Sequence, residues 1–349
     1  MMHIERKSLL FNIPVSNFNI DQIYSSYAYI GNFKIGNKIG PSGTNAISNN
    51  KNISLKKCFS ESLERRALML GGKRDNGTNI VKTFDLISGE ISQLPYEYTT
   101  YRIDKPYCID TTGTAAHIDN RYATKKALLE LIEKNSLFLF WYGRRGYLLE
   151  EIFYKKHTIY QRLIKEDLDV RIFINTDFYP IKVIIAVVIK DGLILSGGVG
   201  SSLHIYECIN SALEEAYLLK WQNIYVDFIH QNHKYKRNLD MNYHRLCLDH
   251  LNSIQEYYSF SDLDKNININ ADEIEMKTIL SGIPEWIKSI HVIYLDSNFK
   301  RIKIVKVFSK YLNNHIPIKS RIDLSIPINV NFLGLTEKDI NNIPDCIIV

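Results

Sequence analysis

Two pairs of glutamates have the spacing and setting to bind a metal ion. Glu61 and Glu64 form the first pair, and Glu130 and Glu133 form the second. Residues three apart lie on one face of a helix. The second pair lies within a strongly apolar stretch, 128–140, and a helix that is apolar nearly all round is usually buried. Buried carboxylates require a cation or strong donors. Four converging carboxylates suit Mg²⁺ that carries nucleotide phosphates.

The alternative is that both pairs lie on solvated helix faces, because Glu-x-x-Glu is a common spacing. The apolar setting of Glu130 and Glu133 favours the buried interpretation. The sequence alone leaves both interpretations open.

Helices and strands alternate in the pattern around these glutamates. A glycine turn at Gly113 precedes the helix that carries the second pair, within the stretch 110–142. Asp191-Gly192 is a hairpin signal. The prediction is an α/β (α+β) fold with mixed sheets. The other predicted helices are 54–70, 149–166, 206–228 and 242–258, and the predicted strands are 79–87, 170–175, 182–190, 193–195, 291–296 and 302–308.

Composition excludes several classes of protein. The 349 residues are 45% hydrophobic and 23% charged, with a net charge of +5, which is ordinary for a globular protein. The five cysteines are odd in number and form no C-x-x-C pair, so we expect a reducing cytoplasm. No apolar run approaches the length of a membrane span, and no signal peptide begins the chain. The sequence contains no ribbon of aromatic and basic residues, the pattern that would indicate nucleic-acid binding.

Three other motifs are weak. The loop predicted at 40–52 is polar and rich in turn residues, which is more typical of a surface loop than of a phosphate site. The stretch 197–202 lacks the G-K-[ST] ending of a P-loop. The His and Cys residues at 230–233 and 244–250 have poor spacing for zinc, so we expect ordinary helix surface there.

Three segments, taken in order, resemble the signatures of the YcaO family. The first is the glycine-containing stretch 40–45 followed by Glu61-x-x-Glu64-Arg65. The second runs Asp110-Thr-Thr-Gly113-Thr-Ala-Ala-His117 and continues into 128–135, which contains Glu130 and Glu133. The third is Gly198-Val-Gly200 followed by Ala212-Leu-Glu214-Glu215-Ala216. The resemblance covers roughly 40–310 and is closest to the cyclodehydratase subunits of thiazole/oxazole-modified microcin systems.

This resemblance implies a fold, cofactors and residue roles. YcaO proteins are α/β folds that hold ATP and Mg²⁺ between Glu-x-x-Glu helices. The implied reaction phosphorylates a peptide amide oxygen after attack by a Cys, Ser or Thr side chain. The implied metal ligands are Glu61, Glu64, Glu130 and Glu133, which also belong to the cofactor-binding set with Gly113. Arg65 and Glu215 are the implied catalytic residues, Arg65 to meet phosphate or orient a carboxylate.

The chain departs from the family pattern at several positions. Lys134-Asn135 replaces a frequent Arg-Asp, His117 replaces a glycine, and Lys57 replaces a serine. Leu218 stands where the third signature has glutamine, with Gln222 four residues later. The proline-alternating C-terminus of many azoline formers is replaced by an apolar ending, 343–349, which either docks on the core or reaches the nucleotide site.

The resemblance also implies partners. A ribosomally made precursor peptide would be the substrate, and an E1-like leader-binding protein would be a separate chain, because no such domain is visible here. A flavin dehydrogenase would accompany azole synthesis, and a homodimer or a heteromeric complex is compatible with the sequence. The alternatives are a thioamide- or amidine-forming enzyme and a non-catalytic scaffold subunit. The predicted organisation is a leading arm, 1–39, and a YcaO-like domain, 40–349.

Overall fold

The longest fully described helix lies between two antiparallel sheets and is the centre of the fold. The computed structural model describes residues 23–348 except 30–33, 36–37, 42, 76, 104–106, 233–240, 255–271 and 298–300. The elements are β1 (Tyr24–Tyr29), β2 (Lys34–Ile35), β3 (Lys38–Ile39), β4 (Gly43–Ser48), α1 (Lys51–Leu70), β5 (Ile80–Asp85), β6 (Ile91–Pro95), β7 (Thr114–His117), α2 (Asn120–Gly143), β8 (Tyr147–Leu148), α3 (Thr158–Lys165), β9 (Asp169–Asn175), β10 (Lys182–Lys190), β11 (Leu193–Ser202), α4 (Ile205–Asn232), α5 (Met241–Asn252), α6 (Asp272–Ser281), β12 (His291–Tyr294), β13 (Lys303–Phe308) and α7 (Glu337–Asn342).

The central helix is α2, and its composition explains its position. Apolar side chains surround its axis, so it can be stable only where both of its sides are covered. Leu128, Leu131, Phe138 and Trp141 are all fully buried. Asp119 caps the first turn by accepting a hydrogen bond from the Tyr122 amide at 2.9 Å. The expected burial of this helix is confirmed.

One side of α2 packs on a five-stranded sheet of order β6-β5-β12-β13-β7. Side chains alternate across β13, as a pleated strand requires. Val305 and Val307 join the core around α2, whereas Ile304 and Phe308 join a separate core that contains Leu63 of α1. Helix α1 therefore covers the opposite face of this sheet.

The other side of α2 packs on a four-stranded sheet of order β11-β10-β9-β8. Strand β10 is buried on both faces, which explains its unbroken apolar run. Val183 and Val187 face the α2 core, while Ile184 and Val188 face a core built with α3 and α4. The layers are thus α1, a sheet, α2, a second sheet, and α3 with α4.

The predicted α/β class is confirmed, and three local predictions need correction. The polar loop predicted at 40–52 contains β4, and the glycine-rich stretch 197–202 is the end of β11. The helix predicted at 149–166 is a short 3₁₀ turn, Glu151–Phe153, followed by α3. Residues 255–258 of another predicted helix lie outside the described residues. The first two errors share one cause: small and polar residues suit strands where a helix packs closely against them.

Strands β1 and β4 pair along their whole length, from Tyr24 opposite Ser48 to Tyr29 opposite Gly43. This pairing crosses the proposed boundary between a leading arm, 1–39, and a domain, 40–349. Residues 1–22 of that arm lie outside the described residues. The division into arm and domain stays a prediction.

The C-terminal segment 343–348 docks on α2 and β11. The Trp141 indole donates to the Pro344 carbonyl oxygen at 2.8 Å, and the Tyr142 hydroxyl donates to the Asp345 carboxylate at 2.9 Å. Ile348 is 1% exposed and packs against Gly197, where a Cβ would have no space. These contacts support the docking interpretation of the tail. Val349 lies outside the described residues.

We therefore expect Ile348→Ala to lower the free energy of unfolding by about 2–4 kcal/mol, the usual cost of emptying a buried aliphatic site. The measurement is chemical denaturation at constant pH. Val330→Ala is the matched control, because Val330 is 64% exposed and its loss should change stability by less than about 0.5 kcal/mol. Equal stabilities of the two variants would contradict docking of the tail.

Candidate active site

A cavity of about 690 Å³ brings the sequence-predicted glutamates together. It lies among helices α1, α2 and α4 and strands β4, β7 and β11. Glu61 and Glu64 enter from α1, Glu130 and Glu133 from α2, and Glu214 and Glu215 from α4. The prediction that the two Glu-x-x-Glu helices face a common site agrees with this geometry.

Strand β7 holds one carboxylate from each of the two central helices. It is an edge strand, so alternate N–H groups along it lack a partner in the sheet. The Ala116 amide donates to Glu64 Oε1 at 2.7 Å, and the Thr114 amide donates to Glu130 Oε2 at 3.2 Å. The Ala116 amide gains an acceptor in this way, whereas the Thr114 amide is shared between Glu130 and the Thr111 carbonyl oxygen, which lies at 3.0 Å.

The same arrangement recurs at two other strands. The Asn45 amide of β4 donates to Glu61 Oε2 at 3.0 Å, and the Val199 amide of β11 donates to Glu215 Oε2 at 2.6 Å. Gly198 and Gly200, on either side of Val199, have no space for a Cβ because the backbone of α4 lies against them. The third signature therefore permits close packing of strand and helix, which brings Glu215 to the strand.

Two basic side chains, Arg65 and Lys134, lie against the carboxylates of Glu61, Glu133 and Glu215. Arg65 donates to Glu61 Oε1 at 2.6 Å. The Lys134 ammonium lies 3.1 Å from Glu133 Oε1 and 4.0 Å from Glu215 Oε1. Burial alone would lower the pKa of Lys134, but the carboxylates of Glu215, Glu133 and Glu130 outweigh burial and raise it. Lys134 therefore stays charged in the site.

Glu133 has both of its oxygens engaged. Its Oε1 meets Lys134, and its Oε2 accepts a hydrogen bond from the Ser201 hydroxyl at 3.0 Å. Burial raises the pKa of Glu133, and Lys134 opposes that rise. Burial likewise raises the pKa of Glu61, which Arg65 opposes.

Glu64 and Glu130 differ from their neighbours. Each uses one oxygen to accept a strand amide, while Glu64 Oε2 and Glu130 Oε1 accept no hydrogen bond from the described residues. Burial raises the pKa of Glu64 to about 8, and it raises the pKa of Glu130 well above its usual range. The charge of Glu64 adds to the rise at Glu130, so the two carboxylates lie close enough to repel each other.

A buried lysine lies close to Glu130. Lys306 is fully buried, and its ammonium donates to the backbone oxygens of Asp110 and Thr112. Burial lowers the pKa of Lys306 to about 8, against the attraction of Asp110 and Glu130. Because its ammonium is held by backbone carbonyls, Lys306 only partly offsets the charge of Glu130.

The donor set fits Mg²⁺ that also binds phosphate. Within the described ranges, no three His, Cys, Asp or Glu side chains gather closely enough to enclose one ion. Mg²⁺ is usually held by one or two carboxylates, with water and substrate phosphates completing its octahedron. Glu64 and Glu130 provide such a pair, and both line the cavity. The roles of all four glutamates as ligands stay a prediction.

Two of the sequence-predicted residues lie beside the cavity rather than in its lining. Arg65 orients Glu61, which is one of the two roles expected of it. Gly113 has a φ of 72° and packs beneath Leu131 and the Val307 carbonyl, so its role in this structure is to form the turn before β7. Its assignment to cofactor binding stays a prediction. Gln222 does not line the cavity either.

Several site features carried no clear signal in the sequence. Lys57 forms an ion pair with Glu214 at 2.7 Å, and Ser201 positions Glu133. Lys134 was visible only as a departure from the family pattern. Residue types do not reveal backbone donors such as the Val199 amide. The glycines on either side of Val199 could have indicated that a helix packs closely against this strand.

Two residues of the signatures turn out to have packing roles. Asn135 is fully buried, donates to the Leu131 and Asn313 carbonyls and accepts from the Asn313 amide. Asp110 accepts hydrogen bonds from the amides of Thr112 and Ile316, and it pairs with Arg321 at 2.9 Å. Both residues tie the region after β13 to the site.

The zinc candidates do not form a site where the structure describes them. Cys247 and His250 are buried, and a His250 ring nitrogen lies 2.7 Å from the Trp141 carbonyl oxygen. The His230 side chain and His233 lie outside the described residues. None of the five cysteines forms a disulfide, and all five are buried.

Residues 54–278 match the profile of the family described as "YcaO cyclodehydratase, ATP-ad Mg2+-binding". The chain belongs to the YcaO family. That family description includes ATP and Mg²⁺, which confirms the cofactors expected from the sequence. A comparison with curated protein sequences found no match.

Solved YcaO structures share the fold. The chain aligns with YcaO from Methanopyrus kandleri bound with AMPPCP and Mg²⁺ at 14% identity and a TM-score of 0.67, over 87% of this chain and 86% of that one. It aligns with a chain of the E. coli microcin synthetase McbBCD complex with pro-MccB17 bound at 15% identity and a TM-score of 0.62, over 92% and 96%. It aligns with a heterocyclase in complex with substrate and cofactor at 14% identity and a TM-score of 0.64, over 85% of this chain and 49% of that one.

These alignments establish the YcaO fold, since the identities are too low to carry more. The chain spans about half of the heterocyclase chain. Among the described residues, none of the helices combines the length and the apolarity needed to cross a membrane.

We expect Glu64→Gln to stabilise the ligand-free protein at alkaline pH. The ordinary pKa of 4.5 describes the unfolded chain, and the folded pKa is about 8. The stability contributed by the protonated form is therefore complete below pH 4.5 and is lost as the pH rises through 8. Glutamine can still accept from the Ala116 amide and carries no charge at any pH.

The measurement is the melting temperature without Mg²⁺ between pH 5 and pH 9. The variant and the wild type should agree near pH 5, and the variant should melt on the order of 4 °C higher near pH 9. Glu97→Gln is the control, because that side chain is 54% exposed in a surface ion pair. Parallel curves for Glu64→Gln and wild type would show that Glu64 is not a strained carboxylate.

Proposed function

We propose that this chain uses Mg²⁺ and ATP to modify a backbone amide of a ribosomally made precursor peptide. The proposed reaction is cyclodehydration of Cys, Ser or Thr to a thiazoline or oxazoline. The observation that carries the proposal is the pair Glu64 and Glu130, two close carboxylates that each leave one oxygen without a hydrogen-bond donor among the described residues. Such a pair is costly without a cation.

The residues around this pair have distinct proposed roles. Glu64 and Glu130 would bind Mg²⁺ directly, and Glu61 and Glu133 would border the same ion or a second one. Arg65 would keep Glu61 in place and so act as a positioning residue. Glu215 is held by the Val199 amide and lies beside Lys134, so it would orient that lysine toward anionic groups.

Cations line the same cavity and would meet phosphate. Lys56 and Lys126 lie in the lining, and the charge of Lys126 acts on Glu64. Bound ATP would supply the phosphoryl group that allows the amide oxygen to leave as phosphate, with ADP as the other product. The chain itself would hold the phosphates, orient the amide and limit the access of water.

The proposed partners follow from the same reasoning. The precursor peptide needs a leader-binding protein, and we propose an E1-like partner as a separate chain. The E. coli complex to which this chain is similar contains several proteins and pro-MccB17. A flavin dehydrogenase would be required if the product is an azole. A homodimer is the other assembly that the proposal allows.

We expect the wild-type chain, with its partner if required, to bind ATP only in the presence of Mg²⁺. Glu130→Gln should weaken this binding by at least about tenfold, because the substitution removes the charge of a ligand and keeps its shape. Titration calorimetry measures both affinities. Glu97→Gln is the matched control and should bind as the wild type does. Full Mg²⁺-dependent binding by Glu130→Gln would remove Glu130 from the ligand set.

The mass of the precursor peptide decides the type of reaction. Incubation with the complete complex should remove one water per ring formed. Exchange of oxygen for sulfur would instead identify thioamide formation. An unmodified peptide, together with no ATP binding, would identify a scaffold subunit and overturn the proposal.

A further inference from the structure

A second cavity, of about 720 Å³, adjoins the carboxylate site. His117 and Tyr122 line both cavities, so the two spaces meet at these side chains. We call the second cavity the apolar cleft. Its lining contrasts with the site, because aromatic and aliphatic groups form its floor and no catalytic glutamate reaches it.

The floor of the apolar cleft is a face of the five-stranded sheet. Phe84 of β5 lies opposite Val292 of β12, and Tyr294 follows two residues later on the same face. Helix α2 covers the β7 and β13 end of this face and leaves the β5 and β12 end open. As a result Phe84 is 41% exposed and Tyr294 is 48% exposed.

Two helices form the walls. The first turns of α2 supply Tyr122 and Lys125, and α6 supplies Glu275 and Met276. Lys125 and Glu275 join the helices across the cleft through an ion pair of 2.9 Å. The result is a concave apolar floor with a charged rim, which is typical of a site for a ligand side chain.

His117 separates the cleft from the carboxylate site. Its Nδ1 accepts a hydrogen bond from the Asp119 amide at 3.0 Å, and its ring packs on Tyr122 at 4.3 Å. These contacts fix the ring between the two cavities. The corresponding position in the family signature is glycine, so this wall is a feature of the present chain.

We propose that the apolar cleft binds an aliphatic or aromatic side chain of the precursor peptide, close in sequence to the residue that is modified. This inference rests on the proposed function. The two cavities meet at His117 and Tyr122. Because an extended peptide advances about 3.3–3.6 Å per residue, a peptide that presents an amide to the carboxylate site would continue past His117 with a neighbouring residue. The cleft would select that neighbour by its apolarity.

The concave shape and the continuity with the site favour a peptide side chain over a second protein surface. Ile91 lies opposite Phe84 on the same face and is 80% exposed, yet it does not line the cleft. An interface with a second copy would cover Ile91 and Phe84 alike. A peptide side chain in the cleft would depend on Phe84 and Tyr294 but not on Ile91.

Disulfide tethering tests the selectivity of the cleft without knowledge of the natural peptide. Lys277 lies on the exposed rim, and the five native cysteines are buried, so Lys277→Cys introduces a single reactive thiol. The probes are the symmetric disulfides of the cysteamine amides of N-acetyl-Leu, N-acetyl-Phe, N-acetyl-Ser and N-acetyl-Asp, so that exchange with the introduced thiol forms the mixed disulfide and releases one cysteamine amide as a thiol. Intact mass measures the fraction captured as the 2-mercaptoethanol concentration rises.

We expect the Leu and Phe probes to resist about tenfold more reductant than the Ser and Asp probes. Phe84→Ser and Tyr294→Ser, each in the Lys277→Cys background, should abolish this preference. Ile91→Ser is the matched control and should keep it. Equal capture of all four probes overturns the proposal, as does loss of the preference in Ile91→Ser to the same extent.

Two further measurements separate the possible failures. Calorimetry of Mg²⁺·ATP binding by each variant tests the proposed function and the fold independently of the cleft. If ATP binding is absent while the apolar preference persists, the proposed function fails and the selectivity of the cleft stands. Sedimentation measures the oligomeric state of each variant. If the wild type is a dimer and both Phe84→Ser and Ile91→Ser make it dissociate, the face binds a second copy and the peptide assignment is overturned.

Discussion

Unpaired backbone amides at strand edges hold the carboxylates on which the site depends. A buried carboxylate is costly without strong donors, and an edge N–H is costly without an acceptor. In this fold the two requirements meet, since β4, β7 and β11 each direct such donors toward the same cavity. Four glutamates are fixed in this way. Their positions therefore follow from the arrangement of the sheets rather than from local helix geometry alone.

The site also depends on the balance between its carboxylates and the basic side chains beside them. Arg65 offsets the charge of Glu61, and Lys134 offsets the charge of Glu133. Lys306 lies near Glu130, but backbone carbonyls hold its ammonium group. The balance is incomplete at Glu64 and Glu130, where burial raises both pKa values. A strained ligand-free site of this kind gains stability from a bound cation. The same strain that destabilises the empty protein thus favours Mg²⁺.

The departures from the family pattern now have physical descriptions. Lys134 keeps the positive charge of the arginine it replaces and contacts Glu133 and Glu215. His117 fills the space of a glycine and divides the cavity from the apolar cleft. The apolar C-terminus docks on α2 and β11. These changes surround the Glu64 and Glu130 pair without removing it, so they bear on the substrate more than on the use of ATP.

The sequence by itself determined the class of the fold, favoured the burial of α2 and supplied the glutamates that line the cavity. Those features are local: spacing places Glu130 and Glu133 on one helix face, and an unbroken apolar surface requires a buried helix. The sequence also identified the family through three ordered signatures. It misplaced β4 and the end of β11, because small and polar residues in a strand look like a loop when the packed helix is unknown.

Only the tertiary structure decided which glutamates keep an oxygen that accepts no hydrogen bond from the described residues. The distinction between Glu64 and Glu61 depends on Ala116, Asn45 and Arg65, and two of these three partners, Ala116 and Asn45, come from strands that are separate from α1. The apolar cleft has the same origin, because Phe84 and Tyr294 lie far apart in the chain and meet only in the sheet. Residue types predict what a side chain can bind, whereas long-range packing decides what is left for it to bind.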